Sequence, residues 1–336
     1  MKGKQGLVCM GLLLVLSSCS CHTGKQITAS GLQRKDFQTE VNGQHTDLFT
    51  LSNKQGMEVC ITNYGARVVS ILVPDRNGKR EDVVCGFSTI TEYMEQRQNF
   101  GSTVGRYIGR ILNARFTLDG VEYKLVPNNG KSGHISHGGN PGFADRIWKV
   151  EQADTHRVRL SYLSPDGENG FPGNLKVTLV YSLGEDDNAL DLTYEATTDA
   201  PTVLNLSHHS FFNISGNFTK SVEDQQLWVD ADRFTPYDDK KCVTGEYLPV
   251  AGTPLDFRMP HTIGECIDAD HPQLKVVNGY DHTWELNTKG DDTRPAAWVY
   301  DPASGRKMEI FTTEPGMQIY TGNGLKGKMT GKGGIA

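Results

Sequence analysis

No stretch of this chain carries a sustained apolar stripe at helical spacing, and turn signals break it at short intervals. Asp75-Arg76-Asn77-Gly78, Asp119-Gly120, Pro127-Asn128-Asn129-Gly130, Asp166-Gly167 and Gly184-Glu185-Asp186-Asp187-Asn188 all separate short runs of mixed apolar and polar residues. Successive side chains of a strand point to opposite faces, so alternation marks a strand with one face buried. Arg67 to Val73, Arg157 to Tyr162, Leu175 to Tyr181 and Ala189 to Glu195 read this way, with much β-branched content. The best helical candidate, Thr89 to Asn99, is short. Many strands with Gly-rich turns, and no strong internal repeat, predict an all-β chain built as one large antiparallel β-sandwich rather than a propeller or solenoid. No composition shift or Pro/Ser-rich linker divides the body, which is read as one domain over 36–336.

The amino-terminal segment follows different rules. Lys2 and Lys4 precede an apolar run from Leu7 to Leu16, too short to span a bilayer and of the length of a signal-peptide core. Leu16-Ser17-Ser18-Cys19 follows it directly and resembles the processing site of bacterial lipoproteins, in which the cysteine is lipidated. Residues 1–19 are therefore read as a lipoprotein signal peptide and 20–35 as a polar tether. The expected location is that of an exported bacterial lipoprotein, periplasmic or at the cell surface, held to the membrane through the lipid on Cys19 alone.

The net charge of −6 argues against a nucleic-acid surface, which would need a basic patch or stripe. Beyond the leader, Cys60, Cys85, Cys242 and Cys266 form no CxxC pair and no Cys/His cluster with zinc spacing. They read as small apolar residues, and no metal site is predicted. No GxGxxG after a strand, Walker loop, HExxH or nucleophile elbow is present. What remains is a set of segments that embed Arg, His, Asp or Gln among glycines and aromatics. They are Gly105 to Arg110, Ser136 to Gly139, Asn205 to Asn213, Gly279 to Trp284 and Pro315 to Asn323. That mixture suits a polyhydroxylated ligand, whose hydroxyls take polar contacts while its C–H faces lie on rings. Each residue also has an ordinary reading: Arg106 and Arg110 as a solvated strand face, Asp281 as a turn residue. On a strand His208 and His209 face opposite ways, so they make a poor metal chelate and only one can serve a given site.

Taken in order, these segments resemble the aldose 1-epimerase family. The likeness begins at Asn63-Tyr64-Gly65-Ala66, passes through Asp82-Val83-Val84 and Gly86-Phe87, and covers essentially everything after the tether. The GRxxxR, HGG, SPDGExGxPG (Ser164 to Gly173), NLxxHSxFN, GxDH and PGxQxYTGN segments are all in register. The resemblance implies a large antiparallel β-sandwich and an enzyme that interconverts the α and β anomers of hexoses such as galactose and glucose. An acid protonates the ring oxygen while a base takes the anomeric hydroxyl proton; the ring opens, the C1–C2 bond rotates, and the ring recloses on the other face. The chemistry requires no cofactor, calcium is left open, and the expected partner is the hexose, bound by a monomer.

Carried over by position, the general acid falls on His209. The sugar contacts fall on Arg110, His137, Asp281 and Gln318. Three positions depart from the family pattern: Gly109 stands where Asn is usual, His208 replaces a common Asn, and Gly324 stands where Phe is usual. The resemblance also places the general base on a glutamate in a strand that follows a Gly/Lys-rich loop. This sequence ends inside that loop, at Gly333-Gly334-Ile335-Ala336, so the base and the closing strands are expected to be missing. Glu314 is near in sequence but lies on the preceding element, with no reason to face the site. Two readings follow: an aldose 1-epimerase whose sequence is cut short, or a catalytically dead carbohydrate-binding fragment of the same fold. A relative acting on a phosphorylated hexose is disfavoured, since no extra basic cluster accompanies the motifs.

Overall fold

The structure, a computed structural model, describes residues 26–335 except Lys326 and Lys328. The signal-peptide reading and Cys19 lie outside the described residues. The architecture is all-β, as expected, with two main cores. In the first, the antiparallel meander Leu48–Ser52, Glu58–Thr62, Arg67–Pro74 and Arg80–Asp82 shares a core with a second meander. That one runs Lys149–Ala153, Arg157–Ser164, Leu175–Leu183 and Leu190–Thr198. Val59, Ile61 and Val68 from the first sheet meet Val158, Leu160, Val177, Leu179 and Tyr181 from the second. Fully burying one such side chain contributes about 1.5–3 kcal/mol, so this alternation explains why the two sheets pack face to face. The Tyr181 hydroxyl, buried in the layer between them, donates to the Ala66 carbonyl at 2.7 Å.

The second core is formed by two further four-stranded antiparallel sheets. One orders His261–Thr262, Gln226–Val229, Ala297–Tyr300 and Lys307–Ile310; the other orders Leu248–Pro249, Arg233–Thr235, Asp281–Glu285 and Gly316–Tyr320. Leu227, Val229, Phe234, Tyr280 and Trp284 fill the space between them. Asp281 and Thr283 therefore project away from Trp284 and His282, which are fully buried.

The helical candidate is a real helix over Ile90–Gln96. Thr89 caps it, accepting from the Glu92 backbone N–H, while the Glu92 carboxylate accepts from the Thr89 N–H at 2.9 Å. A second helix, Pro272–Val277, was not anticipated; it begins with Pro272 in its first turn and ends at Asn278 in the left-handed region. The expected tether over 20–35 is also altered where it is described. Leu32 is buried, Ile27 bridges Gln33, and the backbone N–H groups of Ala29 and Ser30 donate to the buried Glu58 carboxylate at 2.7 and 3.2 Å. Polar composition suggests a loose spacer; a buried acceptor on the first sheet ties this part down instead. Cys60, Cys85, Cys242 and Cys266 are free thiols.

The segment Gly101–Val104 lies between the first sheet and a second short strand. Thr103–Val104 pairs with Ser207–His208. On its other side Val68 donates to the Gly101 carbonyl at 2.9 Å and Thr103 to the Gly65 carbonyl at 2.9 Å. Gly101 has φ +67, and a Cβ there would stand 1.9 Å from the Val68 oxygen, so only glycine permits this approach.

Candidate active site

Arg110 lies on the short strand Arg110–Ile111, opposite Ser136 of Ile135–Ser136. His137 follows in a turn with φ +53, and Gly138 and Gly139 continue it with positive φ. A Cβ on Gly138 would stand 2.0 Å from the Gly105 carbonyl oxygen, which is why His-Gly-Gly can fold so tightly here. The His137 N–H donates to the Gly109 carbonyl at 2.9 Å, and the Gly109 N–H donates to His137 Nδ1 at 3.3 Å. Because Nδ1 accepts, a neutral His137 carries its proton on Nε2 and presents it as a donor. The glycine at position 109 thus supports His137 through its backbone.

His209 sits one residue past the bridge strand Ser207–His208. Its N–H donates to Ser102 at 2.9 Å and its carbonyl accepts from Gly101 at 3.0 Å. The two rings His137 and His209 meet edge to face, 5.3 Å between centroids and 86° apart. His208 turns the other way: its Nε2 lies 2.6 Å from Ser210 Oγ and its ring 6.2 Å from Tyr181. The opposite-face expectation for this pair agrees with these contacts.

From the second core come Asp281 and Gln318. The pairing Asp281↔Tyr320 and Thr283↔Gln318 sets these residues on one face. Gln318 Nε2 donates to Asp281 Oδ1 at 2.7 Å and to the Tyr237 hydroxyl at 3.2 Å, while Thr283 donates to its Oε1. The Arg110 guanidinium lies 6.0 Å from the Tyr237 ring centroid and donates to the Lys241 carbonyl at 3.0 Å. Arg110 is close enough to act electrostatically on both His137 and Asp281. The five residues singled out in the sequence, Arg110, His137, His209, Asp281 and Gln318, therefore lie along one continuous set of contacts.

Several neighbours were not anticipated. Phe211 lies 5.2 Å from His209 and 5.6 Å from Tyr320, ring to ring. The Tyr320 hydroxyl accepts from the Gly324 N–H at 2.7 Å, so that glycine anchors a wall aromatic. Tyr237 is held by Gln273 of the second helix through two backbone hydrogen bonds of 2.8 and 3.0 Å. Nothing in Thr235-Pro236-Tyr237 marks it in the sequence. Arg106, read as a candidate strand-face charge, is instead buried; it donates to the carbonyls of Ser164, Pro165, Pro172 and Gly173 and so clamps the Ser164 to Gly173 loop. Asn169 of that loop donates to the Gly138 and Pro141 carbonyls, both at 2.9 Å, bracing the His137 turn. Glu314 is exposed.

Burial dominates the electrostatics. It pushes His137 down to about 3, helped by His209 and Arg110. Burial also lowers His209, with Arg67 adding to the effect, and raises Asp281 against the opposing influence of Gln318 and Arg110. Among the described residues no group of three or more His, Cys, Asp or Glu is placed to hold a metal ion. The arrangement offers donors (Arg110, Gln318, His137), an acceptor (Asp281), a second imidazole and flat aromatic faces.

Known proteins are similar to this chain in sequence and in fold. The sequence model of the family described as aldose 1-epimerase matches residues 47–336. A galactose mutarotase from Sus scrofa is 39% identical over 286 residues, covering 85% of this chain and 80% of that protein. An aldose 1-epimerase from Escherichia coli (strain K12) is 36% identical over 286 residues, covering 85% and 81%. The crystal structure of an aldose epimerase homologue from C. elegans superposes with a TM-score of 0.78 at 30% identity, covering 86% of this chain and 85% of that one.

The buried imidazoles imply a pH dependence of stability. His137 and His208 lie at about 3 and His282 at about 4, against 6.5 for a free histidine. Between those values the unfolded chain binds more protons than the folded one, so stability is complete above about pH 6.5 and declines as pH falls. Each such group costs up to about 1.4 kcal/mol per pH unit once below its unfolded value. Calorimetry should show a lower melting temperature at pH 5.5 than at pH 7.5; an equal or higher one would contradict neutral burial of these rings.

Proposed function

The chain belongs to the aldose 1-epimerase family, and on that premise we propose that it is an enzyme interconverting the α and β anomers of aldohexoses such as galactose and glucose. The observation that carries this reading is the convergence of His137, His209 and Arg110 with the Asp281–Gln318 pair along one surface. We assign His209 as the general acid. It gives its proton to the ring oxygen as the C1–O bond breaks, while a base takes the anomeric hydroxyl proton and the freed electron pair forms the aldehyde C=O. After rotation about C1–C2 the same groups run in reverse, His209 recovering its proton from the ring hydroxyl as that oxygen attacks C1. The resemblance assigns the base to a glutamate, while Asp281, whose Oδ1 accepts from Gln318, keeps free lone pairs and is assigned to a sugar hydroxyl. Only protons move, so no electron carrier is needed.

The remaining residues hold the sugar. Arg110 presents a fixed fork of donors, His137 an Nε2–H donor, and Asp281 an acceptor for hydroxyls. Phe211 and Tyr320 offer apolar faces to the C–H side of the ring. Burial makes these polar contacts stronger than they would be in water.

Export and anchoring through Cys19 belong to the same proposal, supported by the basic residues, the apolar run and the Leu16-Ser17-Ser18-Cys19 box. Radiolabelled palmitate should enter the wild type in cells and fail to enter Cys19→Ser; equal labelling of both removes the anchor.

The acid assignment predicts a split between two adjacent histidines. In the full-length protein, His209→Asn should slow anomer exchange by about 10²–10⁴-fold, the usual share of a positioned acid, whereas His208→Asn should lose far less. Polarimetry on freshly dissolved α-galactose measures both. Equal losses at the two positions would refute the assignment, and a wild type that binds galactose without exchanging its anomers would favour a carbohydrate-binding protein.

A further inference from the structure

Arg67 opens the central strand Arg67–Pro74, and its side chain is only 1% exposed. A buried guanidinium ordinarily needs a carboxylate, because an unpaired charge in the interior costs several kcal/mol. Here the three hydrogen bonds shown for it all go to backbone carbonyls: Nη1 to Gln98 at 2.7 Å and Phe100 at 2.8 Å, Nη2 to Ala144 at 3.1 Å. The guanidinium also lies over two rings, 4.6 Å from the Tyr93 centroid and 5.7 Å from that of Tyr64, and its Nε finds no acceptor.

The carbonyls it holds belong to the segment that supports His209 and to the turn that follows His137. Gln98 and Phe100 lead directly into Gly101 and Ser102, whose backbone pairs with His209 in both directions. Ala144 lies in the turn that follows His137-Gly138-Gly139, where Phe143 donates to the Gly105 carbonyl at 3.2 Å. The titratable and charged groups around His209 are His208 beside it in the chain, His137 across the site with Arg110 behind it, and Arg67 from the first sheet.

We propose that Arg67 is a positioning residue for the histidine pair: its carbonyl-bound guanidinium ties the His209 support to the His137 turn and sets a fixed positive charge near His209. The inference rests on the reading of this site as an anomer-exchanging one. Its first consequence is geometric, since a shift of about 1 Å between acid and substrate contact costs on the order of 100-fold in rate. Its second is electrostatic: the fixed charge disfavours a second one on His209 and makes an imidazolium there a readier donor to the ring oxygen.

Arg67→Met and Arg67→Lys in the full-length protein separate these effects from simple destabilisation. The measurements are polarimetric kcat and KM for α-galactose, the melting temperature, and the NMR titration of the His209 imidazole. Arg67→Met should lower kcat by roughly 10–100-fold and move the His209 titration upward. Arg67→Lys keeps the charge but, as a single point of donors, cannot span both loops; it should leave the titration near the wild-type value and lower kcat by less. A folded Arg67→Met with wild-type kcat and titration overturns the proposal. So do kcat losses in both variants that follow melting temperature alone with the titration unmoved. Should Arg67→Met not fold, a wild-type kcat in Arg67→Lys is the overturning result. If the wild type itself exchanges no anomers, the functional reading fails, and the His209 titration still decides the role of Arg67.

Discussion

Residues Gly101–Val104 are hydrogen-bonded on both sides, to the first sheet at Gly65 and Val68 and to the site segment at Ser207–His209. This seam lets a sandwich core position chemistry that lies outside it. Because His209 exchanges hydrogen bonds through both its N–H and its C=O with this seam, its ring direction follows from the position of the first sheet. The His137 turn is fixed from the same side, pressed onto Gly105 through Gly138 and braced by Asn169. The second core then brings Asp281 and Gln318 to meet them. A site assembled from separate elements is as rigid as the contacts joining those elements, and here they are mostly backbone hydrogen bonds to buried segments.

The architecture was largely legible because burial is written as alternation. Leu175–Leu183 has a run of buried residues on the face its pattern marks, and Thr89 with Glu92 announces the first helix through its cap. The five site residues were found through family motifs, since a lone His or Arg in a β chain has no sequence signal that separates catalysis from surface. Other features were less visible for physical reasons. Arg67 reads as a charge at a strand end, yet the strand is buried on both faces over Arg67–Leu72. Alternation cannot show double burial of a charged residue whose partners are carbonyls distant in sequence. Tyr237 depends on Gln273, 36 residues away, and the 26–35 segment depends on the buried Glu58. Each is a tertiary override of a correct local tendency.

The electrostatic character of the site follows from depth rather than from opposing charges. His137, His208 and His209 are all held toward their neutral forms by burial, and Arg67 adds to this at His208 and His209. A neutral His137 is a hydrogen-bond donor suited to a hydroxyl, as its Gly109 contact requires. A His209 that resists protonation gives up a proton readily once it has one, which fits a reaction whose acid must return to its starting state in each turnover. Asp281 is shifted in the complementary sense, toward holding a proton. Such opposed shifts suit groups that share hydroxyl protons with a neutral sugar instead of binding an ion.

On this mechanism the enzyme opens and recloses an aldohexose ring without other chemistry. Exchange NMR on galactose labelled with carbon-13 at C1, with the full-length protein in D2O, tests it most directly. Exchange cross-peaks between the α and β anomeric carbons are expected well above the buffer rate, with the hydrogen on C2 retained, because the open aldehyde only rotates about C1–C2. Exchange no faster than buffer, or deuterium appearing at C2, would contradict it.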